Sequence, residues 1–238
     1  MHPISFKSTY INPIKIEKLD SNGEYKPIQA NFVELNQEDA DVLRKTIKDW
    51  KASSKKLVFN FTHTSLLPPE EMKIQKEKFL PLTKDMDVKD IPAFLSSKVM
   101  GDHTYALTLQ EDSFAKLESE KILGLVRFKA GKNSNEIELL QTKPNCISEQ
   151  YGRTPFVVLK QKIKSLFGIE NNEEKRPYRN VGGSMVENLK EMYNDKVMAL
   201  MPLEDAETFY QGHGFSLNLD TYCEYVWLPE RTKEDYIG

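Results

Sequence analysis

Apolar positions along the chain follow two periods, and the switches between them outline the elements. Ile14-Lys15-Ile16-Glu17-Lys18-Leu19 alternates, Asp20-Ser21-Asn22-Gly23 has turn chemistry, and a second extended run begins at Tyr25. This predicts a hairpin over the first thirty residues. Asn31–Leu35 is a strand candidate, and Asn36 can cap a helix with Asp39 three residues on. Ala40, Leu43, Ile47 and Trp50 have helical spacing, which predicts a helix from Gln37 to about Lys51. Leu57–Phe61 reads as a strand, Pro68-Pro69 before Glu70 as a helix start, and Asp90–Lys98 as a short helix carrying Ile91, Phe94 and Leu95.

From residue 104 the pattern becomes that of an antiparallel meander. Thr104–Gln110, Lys121–Ala130 and Glu136–Lys143 read as strands, with Gly131–Asn135 as a turn. In the third strand Ile137 and Leu139 share a face and Leu140 is apolar out of phase. A β-bulge explains that slip, and so does a strand buried on both faces. A helix is expected from Thr154-Pro155 to Gly168, with Phe156, Leu159, Ile163 and Leu166 as its stripe. A glycine-bearing turn over Arg179–Ser184 then leads into an amphipathic helix (Met185, Val186, Leu189, Met192). A strand (Lys196–Met201), a short helix (Glu204–Gln211) and final strands through Leu228 close the chain.

Composition narrows the class. The 238 residues are 39% hydrophobic and 29% charged, which excludes wholesale disorder and fits one large domain. No apolar run reaches the ~18–20 residues of a membrane-spanning helix. With 33 basic and 36 acidic residues the net charge is −3, so nucleic acid is disfavoured as a partner. Cys146 and Cys223 are too far apart in sequence to form a close-spaced thiolate metal motif, and His2, His63, His103 and His213 form no i, i+4 pair. No metal site is expected, and His213 reads as a loop histidine. The N-terminus lacks a basic region followed by an apolar core, so a cytoplasmic setting is expected.

The segment Tyr178–Glu191 carries the most chemistry. Arg179, Asn180, Val181, Gly182, Gly183 and Ser184 lead straight into a helix. The first amides of a helix have no intrahelical partner, and its dipole end is positive. Small residues there let a phosphate or pyrophosphate approach the backbone. The segment is neither a P-loop, since no lysine follows, nor a G-x-G-x-x-G fingerprint.

This segment resembles the acetyl-CoA loop of the GNAT superfamily of N-acetyltransferases, Q/R-x-x-G-x-G/A, read here as Arg179-x-x-Gly182-x-Ser184. A second register puts Asn180 and Gly182 at the two glycine positions. Ala206–Phe215 is similar to the superfamily's A-x-x-x-Y-x-x-x-G-F signature, Phe32–Ala40 to its first strand and helix start, and Glu138–Pro144 to its central strand. The order of elements agrees over residues 31–228. Serine at position 184, leucine at 203 where an asparagine is common, and about thirty residues between Cys146 and Pro177 depart from the pattern.

The resemblance implies a mixed α/β fold: a central, mostly antiparallel sheet flanked by helices. Residues 1–30 would be an N-terminal hairpin extension and 31–238 the acetyltransferase domain, with a helical insertion at about 146–177. It implies acetyl-CoA as cosubstrate and direct transfer to an amine of a protein, peptide or small molecule, by a monomer or homodimer that needs no membrane. The amine must lose a proton before it attacks. Glu138 is the candidate base and Glu136 the second choice. Tyr210 falls on the tyrosine that many members use as general acid. Leu140 and Thr142 lie on the strand whose amides would hold the oxyanion and pantetheine, and residues 179–184 would hold the pyrophosphate. The rival expectation is a GNAT-like acyl-CoA-binding or interaction module without transferase activity.

Overall fold

Alternation organises the N-terminal hairpin. In the computed structural model, residues 8–64, 102–112, 116–146, 176–202, 206–221 and 224–230 are described. Strand β1 (Thr9–Leu19) buries Ile14 and Ile16 while Lys15 and Glu17 face solvent. It pairs antiparallel with β2 (Tyr25–Glu34) through Ile14↔Ala30 and Ile16↔Ile28. Asp20 sets the turn: its carboxylate accepts the N–H groups of Asn22 and Glu24, both at 2.9 Å, and pairs with Lys26 at 2.7 Å. The expected domain boundary at residue 30 falls inside the continuous strand β2.

After β2, Asn36 closes a capping box with Asp39 over a 3-10 turn, and helix α1 (Ala40–Thr64) begins. Leu57–Phe61 belongs to this helix and not to a strand. Its short apolar run satisfies either period, and no glycine or proline between Ala40 and Thr64 interrupts the helical ladder. The expected helices at 68–71, 90–98 and 154–168 lie outside the described residues.

Among the described residues one sheet has the order β6-β1-β2-β3-β4-β5-β7-β9-β8. Its further members are β3 (Asp102–Thr108), β4 (Ile122–Ala130), β5 (Ser134–Thr142), β6 (Tyr178–Arg179), β7 (Val197–Leu200), β8 (Ser216–Leu217) and β9 (Tyr225–Trp227). All described pairings are antiparallel except β5 with β7. The link between those two contains helix α2 (Val181–Met192), as a parallel crossover requires. The six-residue helix α3 (Glu207–Gly212) follows β7. The mixed α/β, mostly antiparallel architecture is therefore as expected.

The central strands are apolar on both faces, so both faces carry helices. Val33, Ala106 and Leu125 pack with Leu43, Ile47 and Trp50 of α1. Phe32, Tyr105, Val126 and Phe128 pack with Val181, Met185, Val186 and Leu189 of α2. Full burial of each such side chain stabilises the fold by about 1.5–3 kcal/mol. Gly124 lets α2 settle onto β4: a methyl group there would stand 2.3 Å from Met185 Sδ and 3.2 Å from Val181 Cγ1.

Two local expectations are corrected. The bulge lies at Glu138, not Leu140: the register jumps from Phe128↔Ile137 to Arg127↔Leu139. The extra residue sends Ile137 and Leu140 to the α2 face and Leu139 to the α1 face. The glycine turn is also shorter than expected, because α2 starts at Val181 and takes in Gly182, Gly183 and Ser184.

Candidate functional site

The start of α2 has no side-chain cap. Asn180 occupies the N-cap in the left-handed region (φ 61°) and makes no side-chain cap bond. Asparagine tolerates that conformation better than most residues. The first helical hydrogen bond runs from the Ser184 N–H to the Asn180 carbonyl at 3.0 Å. Among the described residues, the N–H groups of Val181, Gly182 and Gly183 have no acceptor. The three amides stand at the positive end of a twelve-residue helix, with Val181 and Gly183 buried and Gly182 half-buried, and such an end favours an anion.

Beside this helix start the sheet opens. β5 and β7 pair only through Ser134↔Val197, Asn135↔Met198 and Glu136↔Ala199. Beyond Glu136, β5 runs on to Thr142 paired with β4 alone among the described strands, while β7 turns to β9. The bulge at Glu138 sits at the point of separation and adds local twist. The β5 edge from Ile137 to Thr142 therefore has main-chain groups outside any described ladder, the kind of edge an extended ligand can pair with.

The helix start and the opening adjoin each other. A methyl group on Gly182 would lie 3.4 Å from Thr142 Cγ2 and 3.5 Å from Phe209 Cζ, an ordinary contact distance. Leu140, Phe209 and Tyr210 pack in the same cluster as α2. Tyr210 is 8% exposed, with its ring edge-on to Phe209 (4.9 Å between centroids) and to Phe215 (5.8 Å). The structure thus brings Leu140, Thr142, Tyr210 and the 180–183 backbone to one face.

Other expected residues sit elsewhere. Glu138 pairs with Arg127 Nε at 2.5 Å, and Arg127 shares the α1 face with Leu125 and Leu139. Glu136 lies where β5 still touches both neighbours. Arg179 is exposed, its guanidinium 3.7 Å above the Tyr25 ring, at the β6–β1 edge. The Ser184 hydroxyl donates to the Lys15 carbonyl at 2.8 Å, tying α2 to β1. With its N–H also engaged, Ser184 has no free donor for a ligand.

Sequence reasoning missed one constellation. His213 Nδ1 lies 2.7 Å from Glu187 Oε1, and the Lys190 ammonium donates to the His213 carbonyl at 3.0 Å. The ring packs on Phe209 at 4.7 Å. Partial burial pushes the Glu187 carboxyl up, but hydrogen bonds from Lys190 and His213 outweigh it and hold the group below its ordinary value. A methyl group on Gly183 would meet His213 Cε1 and Nε2 at 2.9 Å and Asn180 Oδ1 at 2.6 Å. Glu187 and Lys190 have i, i+3 spacing, a readable signal; their long-range partner His213 has none. Gln141 was also missed: it is 3% exposed on the α1 face, and its Oε1 has no hydrogen-bond partner among the described residues.

No family model matches the sequence, and no curated protein does. Among solved structures the chain is similar to the PaiA N-acetyltransferase of Thermoplasma acidophilum in complex with coenzyme A. The TM-score is 0.37 at 13% identity, covering 84% of this chain and 97% of that one. It is also similar to AtaTR bound with AcCoA, with a TM-score of 0.33 at 12% identity over 66% of this chain and 82% of that one.

Proposed function

We propose that the protein transfers an acetyl group from acetyl-CoA to an amine, with the cosubstrate held between the separating ends of β5 and β7. One observation carries the reading: three unbonded helix-start amides stand next to a parallel strand pair that parts after three residue pairs. The amides of Val181, Gly182 and Gly183 suit a diphosphate. The edge of β5 from Ile137 to Thr142 suits an extended amide-bearing arm and supplies N–H groups for the oxyanion.

The two faces of the sheet divide the proton transfers. Glu138, on the α1 side with Arg127 as counter-ion, takes the proton from the incoming ammonium, directly or through water. The amine nitrogen attacks the thioester carbonyl, and the C–S bond breaks as the tetrahedral adduct collapses. Tyr210, on the α2 side, donates a proton to the departing thiolate. Base and acid therefore approach the carbonyl carbon from opposite sides. Arg179 has a longer reach in this reading: it would leave the Tyr25 ring to meet the nucleotide end. The acceptor class stays open among protein, peptide and small amines.

Calorimetric titration with acetyl-CoA, repeated on Gly182→Asp, tests the site. An acidic residue in the first turn favours the helix, so the variant stays folded while its carboxylate repels a diphosphate. Binding by the parent and at least a tenfold loss in the variant are expected. No heat with the parent removes the cosubstrate. If the parent binds but releases no CoA with a panel of amines, it is an acyl-CoA-binding module instead.

A further inference from the structure

We propose that His213 is a second, pH-dependent contact for the diphosphate, an imidazole cation aimed at the first turn of α2 by Glu187. The inference rests on the cofactor reading above and extends it to a residue at an unspecified position of the Ala206–Phe215 signature. Its basis is the orientation of the ring. Glu187 consumes Nδ1, Lys190 fixes the His213 carbonyl, and Phe209 covers one side of the ring. The remaining nitrogen, Nε2, has no partner among the described residues and faces Gly183, where even a methyl group would come within 2.9 Å. Held at Nδ1 and at its own carbonyl and packed on Phe209, the ring turns its free nitrogen towards Gly183 and the Asn180 side chain, beside the amides that open α2.

The chemistry follows from charge. Imidazole is the side chain that changes charge between pH 5 and 8. As imidazolium, His213 donates from Nε2 to a diphosphate oxygen while Glu187 balances its other side. As neutral imidazole with Nδ1–H directed at Glu187, it presents only a lone pair to an anion. Among the described residues, the charged groups around the ring are Glu187 and Lys190, both from α2. From α3 it meets the Phe209 ring, and β9 contributes the Trp227 ring on the far side of Lys190. Ligand binding is therefore coupled to proton uptake at one site, and affinity rises as pH falls.

Dephospho-CoA is the probe, because it keeps the diphosphate and lacks the phosphomonoester that would itself titrate near pH 6. Calorimetric titrations of the full chain at pH 5.5 and 8.5 are expected to differ by about tenfold in affinity, the factor that one unit of proton linkage gives. At pH 7, titrations in buffers of different ionisation enthalpy read out net proton uptake. His213→Asn, checked for an unchanged thermal midpoint, flattens both signals. Should His213→Asn be unstable, the parent alone decides: the His213 Cε1–H resonance shifts towards its imidazolium position when dephospho-CoA is added at pH 7. A pH-independent affinity in the parent, proton uptake that persists in His213→Asn, or an unmoved resonance overturns the role of His213 and leaves the cofactor site standing. Failure of the parent to bind either acetyl-CoA or dephospho-CoA overturns both.

Discussion

The two ends of α2 are finished in opposite ways. At the C-terminal end, the Tyr193 N–H bonds the Leu189 carbonyl at 2.9 Å, and the Tyr193 ring packs on Phe128 at 4.3 Å. Its hydroxyl pairs with that of Tyr105, which stacks on Phe32. Burial raises both phenols above their ordinary range, so both stay protonated. At the N-terminal end, three amides lack acceptors, the N-cap makes no side-chain bond, and glycines replace side chains. One helix is thus anchored where it meets the paired part of the sheet and left with open donors where β5 and β7 part. The three unbonded amides leave the N-terminal end with donors that a bound anion can take up.

The largest effect belongs to the contact that seats α2 on the sheet. Gly124→Val drives a side chain into Met185 and Val181 and should cost about 3 kcal/mol. Urea unfolding should show the loss, and acetyl-CoA affinity should fall with it, because lifting α2 displaces its first turn. A variant as stable as the parent would mean that β4 does not position the helix.

Next in size is a change confined to the closed end. Tyr193→Phe leaves the buried Tyr105 hydroxyl without its partner and should cost about 2 kcal/mol. Acetyl-CoA affinity, which we propose is set at the other end, should stay within twofold. A large loss of affinity with little loss of stability would reverse the assignment of the two ends.

How much of this contrast the sequence discloses depends on the range of the interactions. Local signals were legible: the Asn36/Asp39 capping box, the Asp20 turn and the alternation of β1 each depend on residues within a few positions. The phase slip in β5 was visible from Leu140. Its site at Glu138 was not, because the register against Arg127 and Phe128 decides which residue is extra. The Leu57–Phe61 run was misread because a short apolar stretch fits both periods. The helix-start amides were foreseen from Gly182 and Gly183. What stands over them was not, since His213 reaches Gly183 from thirty residues away and Ser184 spends its hydroxyl on Lys15.

The open end can be probed by comparing its two glycines. Both Gly182→Ala and Gly183→Ala should gain up to about 1 kcal/mol of helix propensity. At 182 the added methyl makes ordinary contacts with Thr142 and Phe209, so affinity should hold. At 183 it meets Asn180 Oδ1 at 2.6 Å and the His213 ring at 2.9 Å, so one of them must move. Gly183→Ala should therefore lose about tenfold in acetyl-CoA affinity, equivalent to about 1.4 kcal/mol. Equal behaviour of the two variants in calorimetry would show that the ring over Gly183 is a bystander.

The smallest expected effect reads the same end through stability. Glu187 has its folded-state pKa held below the ordinary carboxyl value of 4.5 by Lys190 and His213, which outweigh its desolvation. A depressed carboxyl contributes stability that is present above its unfolded value and is lost as pH falls through the lower, folded value. The window therefore opens near pH 4.5 and extends downward. The side chain is 48% exposed, so the contribution is screened to a few tenths of a kcal/mol. Urea unfolding of the parent and Glu187→Gln should show this small gap at pH 6 and a smaller one at pH 3. Tyr193→Phe, which alters no charge at these pH values, should keep its full cost at both. A gap for Glu187→Gln that persists undiminished at pH 3 would show that its carboxylate serves packing and not the pairing with His213 and Lys190.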